Sequence, residues 1–383
     1  MGESAVPGAG GTVEAGTHRA VPPEETWARV APLLPAMGIT RVAELTGLDV
    51  VGIPVFQAVR PNARTLSVAQ GKGVTHESAR VSAVMESIET WHAEEAAPAS
   101  VAGTVREMAR LLPYSVFDLP MPPRSVLSGN TRLLWVAGRR IGSREPVWLP
   151  HSCVRMDSTT ADGWCPPLLT SNSNGLASGN TVTEALLHGL YEVLERDARA
   201  RVEEAGRTGP EVDLGSVTGI PAELLERFAA ADVRVRVHDL TEAAGGVACY
   251  EVLIWAADLP VRFAGWGCHR DADVALSRAL TEAAQSRLTM VAGTRDDLPD
   301  GAYAWAASRS RLECPFPPST PARVFPARGT GAGGGPEEDL AFLADVVRRR
   351  ATGVFWADLS RPGFDIPVVK VVAPGLRIVK EYR

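Results

Sequence analysis

The chain lacks the features that most quickly assign a protein to a class. It has no long basic run, and 39 Lys and Arg against 45 Asp and Glu leave a net charge of −6. That balance argues against a nucleic-acid partner or an anionic membrane surface. No apolar stretch reaches the length of a membrane span, and no basic segment followed by an apolar one opens the chain. A cytoplasmic protein is therefore expected. Cysteine is scarce: Cys153, Cys165, Cys249, Cys268 and Cys314 are widely spaced and form no CxxC pair. This excludes a zinc-finger pattern and reads as reduced, buried thiols. Aromatics make up 6% of the chain and show no base-stacking arrangement. There is no Walker A loop and no kinase signature set.

What remains is an ordinary globular composition, 45% apolar and 22% charged over 383 residues. Residues 1–22 lack periodicity and are expected to form a tail without structure. Residues 23–50 form a short N-terminal segment, with an amphipathic helix over 24–36 and a second helical piece over ITRVAELTGL. A single larger domain covers 51–383. Within it, strands are expected over 51–59, LLWVAGRRI, PVWLPHSCV, FWADLS and IPVVKVV. RPNARTLSVAQGKGVT reads as a turn-rich loop, and GTGAGGGP as a linker. Long helices are expected over Glu77–Ala97, beyond Ser171, over Asp273–Val291 and over Glu337–Arg350. Helices alternating with β-rich runs point to an α/β or α+β layered fold, with long helices packed on mixed sheets.

Two of the helices carry unusual acid clusters. From Ser171 the chain reads SNSNGLASGNTVTEALLHGLYEVLERDARARVEE. At helical pitch Glu184, His188, Glu192 and Glu195 fall within roughly 80° of one another, opposite Leu186, Leu190 and Leu194. Glu86 and Glu89 share one side of the preceding helix. Such faces are commonly just solvated. If the two clusters meet, however, like charges raise their pKa values unless a hard divalent cation intervenes. Mg²⁺ suits oxygen ligands and bridges carboxylates to phosphates. Ser67, Lys72, Asn180 and neighbouring glycines suit phosphate contact, and Arg196 and Arg287 suit a transferring phosphoryl group. Asp197 lies on the apolar arc and reads as structural, and His188 as a hydrogen-bonding neighbour of the acids.

These segments resemble a known family. LSVAQGKG with the following ESARVSAVMESIETWHAEE resembles the first signature of the YcaO family. SNSNGLASGNTVTEALLHGLYEVLERDA resembles its second, and RALTEAAQSRL its third. The resemblance implies a YcaO-like fold with ATP and Mg²⁺ as cofactors. It implies that Asn180, Glu184, Glu192, Glu195 and Arg196 bind Mg²⁺-ATP, with Glu86 and Glu89 as further metal ligands. It also implies roles for Ser67, Gln285 and Arg287. One position departs from the family pattern: Ala177 stands where a small polar residue is usual, with Ser178 beside it.

The reaction class so implied is ATP-dependent O-phosphorylation of a peptide backbone amide in a ribosomally made peptide. Sulfide as nucleophile gives a thioamide, a Cys, Ser or Thr side chain gives an azoline, and an amine gives an amidine. The PVVKVVAPGL ending looks like members that work with a TfuA partner and make thioamides, whereas azoline-forming relatives commonly end in a PxPxP tail. The expected partners are a precursor peptide and a TfuA-like or separate leader-binding protein. A scaffold or non-catalytic ATP-binding adjunct in protein sulfur modification is the reading from another class. The sequence leaves the oligomeric state open, a homodimer included.

Overall fold

A computed structural model describes residues 12–14, 17–95, 101–143, 145–160, 166–295, 316–327 and 334–379. The first eleven residues of the expected tail and most of the GTGAGGGP linker lie outside them. The tail's end is structured: β1 (Thr12–Glu14) and β2 (Thr17–Arg19) pair antiparallel, and α1 (Pro23–Val30) follows with Pro in its first turn.

ITRVAELTGL is not helical. Its Arg41–Glu44 is strand β3, paired antiparallel with β4 (Val55–Val59), and a short 3₁₀ turn covers Thr46–Leu48. The segment is too short to bury a helical stripe, so sheet pairing decides its structure. The next loop assignment also changes. Val68–Lys72 is strand β5, which completes a β3-β4-β5 meander. The glycines of its GKG run serve packing. A Cβ on Gly71 would stand 1.9 Å from the Ala83 backbone nitrogen, and one on Gly73 2.6 Å from that of Ala79. Both alanines lie on α2 (His76–Glu94), which Thr75 caps by accepting a hydrogen bond from Ser78 N–H.

A second unit repeats this plan. Strands β11 (Arg234–Asp239), β12 (Cys249–Trp255) and β13 (Phe263–Cys268) form another antiparallel meander, followed by α6 (Ala272–Ala292). Here Gly265 and Gly267 let α6 lie close, with a Cβ at either falling within 2.2 Å of α6 backbone. Asp271 caps α6, and Gly293 ends it in the left-handed conformation.

A larger sheet of six strands is antiparallel throughout. Strands β6 (Val101–Thr104), β7 (Arg132–Arg140), β15 (Phe355–Asp358), β16 (Val368–Val372) and β9 (Leu176–Ser178) run in that order, and β8 (Pro146–Pro150) pairs with β7. Helix α4 (Val182–Glu204) packs on β16: a Cβ on Gly189 would meet the Val371 side chain at 2.7 Å. Leu190, Val193 and Leu194 of α4 join Val369 and Val371 in one buried cluster. Helix α7 (Pro336–Arg348) covers the same cluster with Leu343 and Val347, and its acids precede its Arg348 as the helix dipole favours. Helices α3 (Val105–Met108) and α5 (Ile220–Ala230) and strands β10 (Val212–Asp213) and β14 (Arg323–Val324) are the remaining elements among the described residues. The layered α/β architecture matches the sequence expectation, and the acid-bearing helices sit on the sheets they follow.

Candidate active site

Three helices bring charged faces together. Helix α2 supplies Glu86 and Glu89, and α4 supplies Glu184, Glu192, Glu195 and Arg196. Helix α6 supplies Arg278 and Glu282. Strand β5 ends at Lys72, whose ammonium lies 2.5 Å from Glu282 Oε2. The Trp266 N–H donates to the other oxygen of Glu282 at 3.4 Å. Glu195 is buried at 6% exposure, while Glu86, Glu89, Glu192 and Glu282 keep a partly open side.

The electrostatics show that the acids share one field. Burial raises the Glu86 carboxyl above its usual range, opposed by Lys72, Arg295 and Arg196 and reinforced by Glu282. Burial pushes Glu89 up to about 8, against a hydrogen bond from Ser178, with Glu86 and Glu192 adding repulsion. Glu192 rises to about 7 through burial, Arg196 opposing and Glu195 reinforcing. Glu195 is raised by burial and by Glu282. Glu282 alone goes the other way: burial pushes upward, but Lys72 and Arg196 outweigh it and hold the carboxyl low. A wall of carboxylates that resists ionisation is what a hard cation relieves.

At the N-terminal end of α4 a second group forms. Asn180 Nδ2 donates to both Glu184 oxygens at 3.3 and 3.4 Å, and its backbone N–H donates to Oε2 at 3.2 Å. Thr26 Oγ donates to Asn180 Oδ1 at 2.9 Å. The Arg19 guanidinium pairs with Glu184 at 3.0 Å, and Ala20 N–H donates to the same carboxylate at 3.2 Å. Residues 17–22, expected to be unstructured, thus lie against the site. His188 accepts from Arg278 at 3.1 Å, and burial, then Arg278, holds its imidazole neutral. Ser178 donates its N–H and hydroxyl to Glu89 at 2.8 and 2.6 Å, a polar contact beside the departure at Ala177.

Glu86, Glu89, Glu192, Glu195, Arg196 and Lys72 therefore come together, with Asn180 and Glu184 beside them. Gln285 instead donates to the Gln70 carbonyl at 3.1 Å, and the Ser67 carbonyl accepts from Arg60 N–H at 2.7 Å. Arg287 is elsewhere. Its side chain is 3% exposed, and its guanidinium is held by Asp49 at 3.0 Å and Asp258 at 2.6 Å. The reason is helical phase: Arg287 points roughly 140° away from Glu282, whereas Arg278 stands about 40° from it. Glu282 and Arg278 lie in the same motif as Arg287, so applying that phase to the sequence finds them. Arg19 and Thr26 carry no such signal, because only the chain's return over α4 brings them in.

The set fits Mg²⁺ with a phosphate ligand. All its acidic donors are hard oxygens, yet among the described residues no three His, Cys, Asp or Glu converge into a metal cage. Mg²⁺ usually takes one or two carboxylates and completes its shell with phosphate and water. A narrow opening lined by Asn172, Ser173, Asn174, Glu192 and Arg196 reaches the acids. A larger cavity of about 350 Å³ lies away from them, beside Arg110, Arg140 and Phe355. Its charged pair, Arg140–Glu145, is a surface contact, so we place no chemistry there.

Comparison with known proteins agrees with this geometry. A family model described as YcaO cyclodehydratase, ATP- and Mg²⁺-binding, matches residues 70–377. An uncharacterised protein of Mycobacterium tuberculosis is 39% identical, covering 94% of this chain and 83% of its own. One from Rhizobium leguminosarum bv. trifolii, named for its place in the tfuA 3′ region, is 35% identical, covering 94% and 89%. The structure of YcaO from Methanopyrus kandleri bound with AMPPCP and Mg²⁺ superposes with a TM-score of 0.69 at 25% identity, covering 95% of this chain and 93% of that one. The family match takes in all three acid-bearing helices, and the protein belongs to the YcaO family, with ATP and Mg²⁺ as its cofactors.

Proposed function

We propose that this protein activates a peptide backbone amide by ATP-dependent O-phosphorylation, and that with a TfuA-like partner it delivers sulfide to give a thioamide. The observation that carries the activation step is the convergence of carboxylates from α2, α4 and α6 with Lys72, Arg196 and Arg278 set among them. The 35% identity to the protein of the tfuA 3′ region supports the choice of nucleophile.

When bound, the nucleotide would supply the phosphoryl group that makes the amide oxygen a leaving group, and Mg²⁺ would offset the charge on its phosphates. Of Glu86, Glu89, Glu192 and Glu195, one or two would ligate the metal directly and the others would hold it through bound water. Asn180 and Glu184, with Arg19 and Thr26, would fix the nucleotide at the start of α4. Arg196 and Arg278 stand beside the acids and stabilise negative charge as it develops on the transferring group. Lys72, fixed by Glu282, adds a positioned cation from the strand side. Most of the rate gain asked of such a site is positioning plus electrostatics.

A cyclodehydratase that makes azolines from Cys, Ser or Thr is the second reading, favoured by the description of the matching family. Mass spectrometry of the modified precursor separates the two. Exchange of oxygen for sulfur, dependent on ATP, Mg²⁺, sulfide and the TfuA-like partner, is expected. Loss of one water per site without sulfide would replace thioamidation by cyclodehydration.

A further inference from the structure

Strands β12 and β13 place Cys249 directly opposite Cys268. The hydrogen-bond pattern shows which kind of cross-strand pair this is. The Cys249 carbonyl accepts from Leu240 N–H at 2.8 Å, and its own N–H donates to Thr241 Oγ at 3.4 Å. Both groups therefore point away from β13. The adjacent pair does bond across the strands, His269 N–H donating to the Ala248 carbonyl at 2.9 Å. Cys249 and Cys268 are thus a non-hydrogen-bonded pair, the register in which Cα atoms stand about 4.5 Å apart and side chains are closest. That separation lies at the short end of the range a disulfide spans, about 4.4–6.8 Å. Both thiols are free, and both residues are buried, at 0% and 1% exposure.

We propose that Cys249 and Cys268 form a dithiol site that hydrogen peroxide converts to an intramolecular disulfide. One sulfur attacks the peroxide, forming an S–O bond as the O–O bond breaks and water leaves. The second sulfur then attacks the sulfenic acid, forming the S–S bond as the S–O bond breaks and a second water leaves. Each thiol gives up its proton to a departing oxygen, and the two electrons lost by the sulfurs reduce the peroxide. The assignment does not depend on the substrate or nucleophile of the phosphorylation reaction.

The thiols' surroundings set the pace. The neighbouring Cys268 thiol and then burial raise the Cys249 thiol well above its usual range, so thiolate is scarce and the closed pair oxidises slowly. Local opening of the β12–β13 end admits the oxidant. The crosslink lies behind the acid wall: Cys249 senses the Glu195 carboxylate, and Tyr191 of α4 stacks at 4.6 Å on His269, next to Cys268.

The test uses the full chain with Cys153, Cys165 and Cys314 changed to Ser, exposed to hydrogen peroxide and digested without reduction. The expected result is a linked Cys249–Cys268 peptide, an intact mass lower by two hydrogens, and a thermal midpoint above that of the reduced protein. Dithiothreitol should reverse all three. Separate thiols or sulfinic acids after oxidation of folded protein would overturn the assignment. So would links between molecules, or an oxidised form that melts lower. The same digest of the unsubstituted chain guards against loss of folding in the triple variant. In that chain, pairing of Cys268 with any other cysteine would also overturn it.

Discussion

The two meander-helix units, β3-β4-β5-α2 and β11-β12-β13-α6, are built alike but serve the site differently. Each ends its third strand in a Gly-x-Gly run packed against helix alanines, and each helix turns acid toward the same centre. The middle residue differs. Lys72 reaches Glu282 across the two units, whereas Trp266 lies under the Arg199 guanidinium at 3.9 Å. Their acids differ as well. Glu86 and Glu89 are raised by burial, and Glu282 is held low by Lys72. The first unit therefore offers the carboxylates most in need of a metal. The second offers a carboxylate already neutralised, and orients the cation that neutralises it.

Substitutions can break or sharpen that comparison. The largest effect should come from the shared packing. Gly265→Ala puts a methyl 2.2 Å from the Ala283 backbone nitrogen, where no side chain can yield, and Gly71→Ala is tighter still. Both should cost about 3 kcal/mol or more. Urea midpoints near the parent value would show that the glycines are not needed for close approach.

Arg287→Ala comes next. It leaves Asp49, at 4% side-chain exposure, without its partner, a loss of about 3–5 kcal/mol for a buried pair. The variant that stays folded should bind Mg²⁺-ATP as the parent does. Calorimetry showing lost nucleotide affinity at unchanged stability would return Arg287 to the site.

Glu195→Gln and Glu192→Gln should act in the opposite sense. Product formation should fall by about 10²-fold or more. Stability in the absence of metal should hold or rise, because each change removes a repelled, desolvated carboxylate. Turnover like the parent's in either variant would remove α4 from the phosphate chemistry.

A further effect is the pH dependence of the metal-free protein. Glu89 and Glu192 have folded pKa values of about 8 and about 7, both above the ordinary 4.5. Between those limits the folded state holds protons that the unfolded chain has lost, so their contribution is complete below 4.5 and falls as pH rises toward 8. Mg²⁺ should flatten that decline by binding the ionised carboxylates. Parallel melting curves with and without Mg²⁺ across this range would argue that the acids do not bind metal together.

Much of this was legible in sequence because it is local. The phase of Glu184, Glu192 and Glu195 around α4 follows from their spacing, and so does the pair on α2. The alternation of helices with β-rich runs follows from residue type. The misreadings came where a partner elsewhere in the chain decides. QGKG carries turn residues, but pairing with β4 makes it a strand and α2 gives its glycines their purpose. ITRVAELTGL has no packing face of its own until β4 provides an edge.

The sequence by itself determined the helices, the carboxylates they carry and the family they belong to, since periodicity and motif spacing need no distant contact. Only the tertiary structure decided which charges meet. It turned Arg287 toward Asp49 and set Glu282 and Arg278 among the acids. It also laid Arg19 and Thr26 across the start of α4. Charge interactions fall off with distance through space, and separation along the chain does not report that distance.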